Sequence, residues 1–372
     1  MTVLLWILGI LAVPTLLFVL WLAWVFLKEL FHPSPDDDAE AAEAAEAAQA
    51  AQKLGLLPAE RQNTDLAAPL PAEWTAALTA VRGGDWRPAA DLLAAVGHDW
   101  ERRSALVYLL ADRAAEEDAW LLDWEAERRD DPGAAVVRAR STVILAWKLR
   151  GAKTARYTTR EQAEGFHRTL VSARAEITRA AALNPQDPTP YIAEIWVALG
   201  LGYPNADMDK LWAEISARAP HHYEAHFSAL QYWCAKWRGS ERLAFEFAER
   251  AAADAPLGSL LTALPLIAHF EHDESEDTAA DNTPEMLARV EAALQDAAAA
   301  DPSHPRLPEL RHLLAFYLHL QDRNEAALEQ FKLVDGHVNA LPWRYRGDMA
   351  GHYCQVRDTV VRAVRETAAA PA

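Results

Sequence analysis

A chain of 372 residues that is 51% apolar has material for a substantial core, which excludes a disordered protein. The formal net charge of −18, with arginines scattered among acidic neighbours, excludes a basic nucleic-acid-binding face. Cys234 and Cys354 are the two cysteines, and without a CxxC pair or an N-x-[ST] acceptor the chain fits a reducing compartment.

From Val3 to Leu27 the chain reads VLLWILGILAVPTLLFVLWLAWVFL, with no charged residue. About 20 such residues span a bilayer core, so residues 1–30 are predicted to form a single-pass transmembrane anchor. A cleaved signal peptide would need a basic leader, a shorter apolar run and a small-residue cleavage site, and none is present. Trp21 and Trp24 suit the interfacial belt, and Pro14 is tolerable within a membrane helix. Lys28, on the C-terminal side of the run, favours a cytoplasmic location for the remainder of the chain.

Residues 31–68 contain PSPDDDAEAAEAAEAAQAAQ, in which Glu40, Glu43 and Glu46 recur every third residue among alanines, with no hydrophobic stripe to bury. The composition predicts a solvated acidic tether that holds the rest of the chain off the membrane surface.

From 69 to 368 alanine, leucine, glutamate and arginine dominate, glycine is scarce, and short Val/Ile/Thr-rich runs are missing, which predicts an all-α domain. The segments RAAALNPQDP, ISARAPHHYEA, RAAADAPLGS and AAAADPSHP share an alanine-rich helix end followed by proline. Pro185, Pro220, Pro256 and Pro302 stand 35, 36 and 46 residues apart. The long step contains HDESEDTAADNTPE, an acidic insertion near 272–285 that cannot extend a helix. Between the prolines each unit reads as two helices, as in YIAEIWVALGLG followed by DMDKLWAEISARA. Upstream, EWTAALTAVRGGDWRPAADLLAAVG carries a Gly-Gly-Asp turn, a proline near the next helix start and a closing glycine. The helical period gives about seven hairpins and a terminal helix.

At ALNPQDP and QDRNEAALEQF the chain resembles the tetratricopeptide-repeat superfamily, whose units are close to 34 residues long, and the likeness is best over 174–335. The units lack a regular tryptophan, glycine, tyrosine sequence in the first helix. The resemblance implies an α-solenoid of antiparallel helix hairpins curled into a superhelix, with a concave face that binds a protein or peptide. On that reading Glu194, His222, His226, Gln231, Arg311 and His312, polar residues of the first helices, are the candidate groove.

APHHYEAHFSALQYWCAKWRG, Ala219 to Gly239, concentrates the residue types of chemistry. Tyr223, Phe227, Leu230, Cys234 and Trp237 recur at helical spacing, which places Cys234 in a buried stripe. His222 and His226 are four apart, but the metalloprotease pattern needs glutamate directly after the first histidine and Tyr223 stands there. At about 1.5 Å of rise and 100° of turn per residue, Cys234 lies about 12 Å along the axis from His226, out of reach of a shared metal. His269 or His272 would have to complete such a set, and their spacing does not require it. RGAKTAR at 150–156 lacks the glycine spacing of a phosphate loop, and Asp207 with Asp209 reads as a helix start. No catalytic residue, metal ligand or cofactor is assigned. The expected function is a non-catalytic, membrane-anchored interaction scaffold. A metal-dependent sensor or enzyme using the His222/His226 face and a self-assembling structural protein are the alternatives.

Overall fold

The computed structural model describes residues 35–151, 159–273 and 278–369. The expected membrane segment Val3–Leu27 and Lys28 lie outside them; among the described residues no helix is long and apolar enough to cross a membrane. The described residues form 16 α-helices and no strand. They are α1 (Pro35–Lys53), α2 (Ala72–Arg82), α3 (Arg87–Val96), α4 (Trp100–Ala114), α5 (Ala119–Glu127), α6 (Pro132–Arg150), α7 (Arg160–Leu183) and α8 (Thr189–Leu201). Next come α9 (Asn205–Arg218), α10 (Tyr223–Trp233), α11 (Glu241–Ala253), α12 (Ala263–His272), α13 (Pro284–Ala299), α14 (Leu307–Leu320), α15 (Asn324–Val334) and α16 (Met349–Ala369).

Local chemistry sets the boundaries. Asp99, Asp131, Ser240 and Thr283 cap the helices that begin after them, and Thr159 with Gln162 closes a capping box on α7. Proline stands in the first turn of α3, α6, α8, α13 and α14, where its missing N–H costs nothing. Gly202, at φ 69°, ends α8 in the left-handed conformation that a side chain disfavours.

Successive helices pack as hairpins, α2 with α3 through α14 with α15, and α16 closes the series. The first helices form a row in which α4, α6, α8, α10, α12, α14 and α16 each touch the next. The row curls tightly enough for α4 also to touch α8 and α10. Gly200 lets α8 approach α7; a Cβ there would come within 2.6 Å of the Phe166 ring. The core is aromatic as well as aliphatic. Trp86, Trp120, Trp124 and Trp343 are fully buried, and Trp147 makes edge contacts with Phe166, Trp196 and Trp237.

The acidic segment is not a free spacer over its whole length. Pro35–Lys53 is helical and lies along α16, with Ala47, Ala50 and Ala51 buried and Glu43 2.6 Å from Arg362. Alanines at helical spacing let the two helices approach closely, so burial needs no bulky stripe. The folded body also begins before residue 69. Asn63 bridges His337, Val338 N–H donates to the Asn63 carbonyl at 2.8 Å and Asn339 N–H to that of Leu66 at 3.1 Å. The insertion near 272–285 is likewise partly docked: Gln321 Nε2 donates to the Asp281 carbonyl at 3.0 Å and Asn282 Nδ2 to that of Leu320 at 3.0 Å.

Candidate functional site

Charged side chains at helix starts meet across the inner row of helices. Glu101, in the first turn of α4, accepts the Tyr223 N–H at 2.6 Å and lies 3.9 Å from His304 Nε2. Glu224, in the first turn of α10, accepts from Arg306 Nη2 at 2.7 Å and lies 3.9 Å from Arg140 on α6. Arg306 also donates to Glu309 at 2.7 Å, with Arg344 3.6 Å from the same carboxylate oxygen. Units far apart in sequence are thereby clasped by alternating charges.

The environment of each group is tuned by its neighbours. Burial works against the Arg306 cation, and Glu224 and Glu309 more than offset it, so its pKa is raised. Burial likewise opposes the Glu309 charge, yet Arg306 and Arg344 hold that carboxyl below its ordinary value. Arg140 and His304 are pulled down by burial, with Glu224 and Glu101 respectively opposing the shift. These carboxylates are engaged by cations or backbone donors, an arrangement that fixes geometry. Sequence reasoning missed Glu101, Glu224, Arg306 and Glu309. The available signal was a charged residue at a helix start, which is also what an exposed cap looks like.

The expected groove residues do not share one surface. His222 precedes α10 as its cap: Nδ1 accepts the Ala225 N–H at 3.3 Å, which leaves the proton on Nε2 for the Trp100 carbonyl at 3.0 Å. His226 donates from Nδ1 to the His222 carbonyl at 2.8 Å and stands edge-on to Trp212. Both are buried, and burial pushes His226 down to about 4. Gln231 is buried and donates to Glu271 at 2.9 Å. His312 is fully buried, accepts from Trp343 Nε1 at 3.1 Å and is lowered to about 4 by burial, against the backbone of Ala67 and His337. Glu194 is half-buried beneath the Tyr203 hydroxyl, at 3.3 Å, and burial raises its carboxyl. Arg311 is half-buried.

His222 and His226 therefore are not a helix-face pair awaiting a metal, since backbone groups hold three of their four ring nitrogens. His272 is also occupied, with Nδ1 on the Ala268 carbonyl at 2.8 Å and Nε2 on the Ala235 N–H at 3.2 Å. Cys234 is fully buried at the end of α10, and burial raises its thiol to about 12, out of the range of a nucleophile. α10 ends at Trp233, so Trp237 reaches its neighbours from the adjoining turn rather than from the helix.

An accessible concavity lies elsewhere. A pocket of about 520 Å³ opens between the end of α3, the start of α4, the α5–α6 turn and the end of α7. Ala90, Leu93, Ala94 and Pro132 supply apolar wall, Arg103, Arg128, Arg129, Asp91 and Asp130 supply charge of both signs, and His98 adds an imidazole. Arg103 is fixed by Asp187 at 2.6 Å and the Leu93 carbonyl at 3.2 Å. Arg128 lies 4.8 Å over the Trp86 ring, and the Arg129 carbonyl accepts from Arg179. Rigid helix ends thus present fixed apolar and charged groups, the composition of a ligand-sized cleft.

No protein-family model matches the chain, and no curated protein or solved structure matches it.

Proposed function

We propose that the chain is a non-catalytic interaction scaffold with a tetratricopeptide-like repeat domain, held at a membrane by residues 3–27. Its partner is a protein, which inserts a short segment into the pocket between α3 and the α5–α6 turn. The observation that carries this reading is the pocket itself: about 520 Å³ lies within the range of ligand-binding clefts, and its walls belong to helix ends fixed by ion pairs. Charges pair across the interior row, expected as the binding face, and recognition moves to the ends of the early hairpins. Mixed charges on an apolar floor favour a peptide over a lipid or a nucleic acid, and the net charge of −18 agrees. The single Lys28 favours the cytoplasmic side for the domain.

Affinity capture from native membranes tests the reading. An Arg128→Glu/Arg129→Glu variant is expected to lose the partner recovered by the wild type at least about tenfold, because rim charges set encounter and register. Undiminished capture refutes the placement. Capture of a second copy of the chain alone identifies the self-assembling alternative.

A further inference from the structure

Tyr345 ends the short 3-10 turn Trp343–Tyr345 between α15 and α16 and reaches the ends of α10 and α12. Its hydroxyl donates to Glu271 Oε1 at 2.8 Å and accepts from Lys236 Nζ at 3.1 Å, across 74 and 109 residues of chain. Its ring lies 5.5 Å from that of Phe270, with Lys236 Nζ 5.3 Å from the ring centre. One side of this contact is built and the other is loose. The Glu271 side chain is 3% exposed, and its carboxylate is held without Tyr345: Lys236 donates to Oε2 at 2.6 Å and the buried Gln231 to Oε1 at 2.9 Å. Phe316 supports Phe270 edge-on at 6.4 Å and is itself packed on Trp343. Tyr345, by contrast, is 54% exposed.

The turn that carries Tyr345 is fixed. Trp343 is fully buried and donates from Nε1 to His312 at 3.1 Å, and Arg344 Nη2 holds the Asn339 carbonyl at 2.9 Å. Rotation of one half-exposed side chain is therefore enough to uncover Glu271, and such rotations are local and fast. No charge is stranded by it, because Lys236 and Gln231 stay on the carboxylate. The notch left behind specifies its occupant: an aromatic ring to lie against Phe270, bearing one group that donates to Glu271 and accepts from Lys236. A tyrosine hydroxyl meets both requirements with a single atom, whereas tryptophan only donates and phenylalanine does neither.

We propose that Glu271, Lys236, Gln231 and Phe270 form a docking notch for a tyrosine side chain of a partner protein, and that Tyr345 is the internal occupant such a segment displaces. The notch is separate from the pocket between α3 and the α5–α6 turn and stands whether or not that pocket binds. Being covalently attached, Tyr345 competes at high effective concentration, and the apparent affinity for an incoming tyrosine is reduced by the fraction of time the notch is open. The internal tyrosine thereby sets a threshold that a partner passes only by making further contacts beside the notch.

The test uses the full-length protein in detergent, with the blocked tripeptide acetyl-Gly-Tyr-Gly-amide as probe and its phenylalanine counterpart as control, followed by saturation-transfer NMR at millimolar peptide. Tyr345→Ala, at an exposed position, should bind the tyrosine peptide at least about tenfold more tightly than the wild type, the ratio for a notch closed about nine-tenths of the time or more. The same variant should prefer the tyrosine peptide to the phenylalanine peptide at least about fivefold, and adding Glu271→Gln should remove most of that preference. Circular dichroism checks the fold, and if the double variant misfolds, the comparison of the two peptides on Tyr345→Ala carries the test. A folded Tyr345→Ala variant that binds no tyrosine peptide overturns the proposal. Equal binding of the two peptides overturns tyrosine as the occupant, and wild type binding as tightly as the variant overturns Tyr345 as the residue displaced.

Discussion

Replacing Asp335 by alanine should release the segment that enters the array. Its Oδ2 accepts the Leu57 N–H at 2.6 Å, and its Oδ1 accepts from Gln62 Nε2 at 3.0 Å, Arg357 Nη1 at 2.8 Å and the Tyr353 hydroxyl at 3.3 Å. Arg357 is 1% exposed and also holds the Leu57 carbonyl at 2.6 Å and Asp358 at 2.7 Å. In the alanine variant Arg357 keeps those two partners and Gln62 keeps the Leu57 carbonyl at 2.9 Å, while the Leu57 N–H loses its acceptor. Removing one member of a buried ion pair costs about 3–5 kcal/mol. At about 1.4 kcal/mol per decade, amides of residues 56–66 should exchange roughly two to three and a half decades faster when exchange tracks local opening. Hydrogen exchange read by mass spectrometry on the full chain measures this, with peptides from α6 and α7 as internal controls. Exchange of residues 56–66 within tenfold of wild type would refute the claim that Asp335 clasps the two ends together.

Acidification should destabilise the domain before its carboxylates titrate. Burial holds His226 and His312 at about 4, so between pH 6.5 and 4 the unfolded state binds more protons, and stability falls as pH drops. At pH 5 each contributes on the order of 2 kcal/mol to that loss, and His312→Gln should remove about that much of the pH 7 to pH 5 difference in urea unfolding. Glu224→Gln leaves Arg306 and the 7%-exposed Arg140 without their shared carboxylate and should cost about 3 kcal/mol; a loss under about 1 kcal/mol in the same assay would mean the clasp is solvent-screened. Gly200→Ala should cost about 1–3 kcal/mol by forcing Phe166 and Leu170 aside, and an unchanged melting temperature would show that α7 yields freely.

Much of the helical layout is legible in the amino-acid sequence, because caps, prolines and the 3.6-residue period act locally. Thr159 and Gln162, Pro190 and Gly202 mark their boundaries through bonds to near neighbours. The clasping of the ends is not legible there. Leu57 and Arg357 are 300 residues apart, and Ala47, Ala50 and Ala51 look like spacer until α16 is laid beside them. The burial of most of the candidate groove residues was hidden for a related reason. His222, His226, Gln231 and His312 carry the residue types of a binding face, but a row of helices curled enough to bring α4 against α10 buries them. Polarity indicated that these side chains need partners, and only tertiary packing determined that the partners are internal.

A photocrosslinking residue placed at His98, on the wall of the α3 pocket, tests the interaction reading most directly. In native membranes a discrete adduct with another protein is expected from His98 and not from Leu122, which is 53% exposed on α5 outside the pocket lining. Equal labelling from both positions, or none from His98 while the partner is still captured, would contradict it.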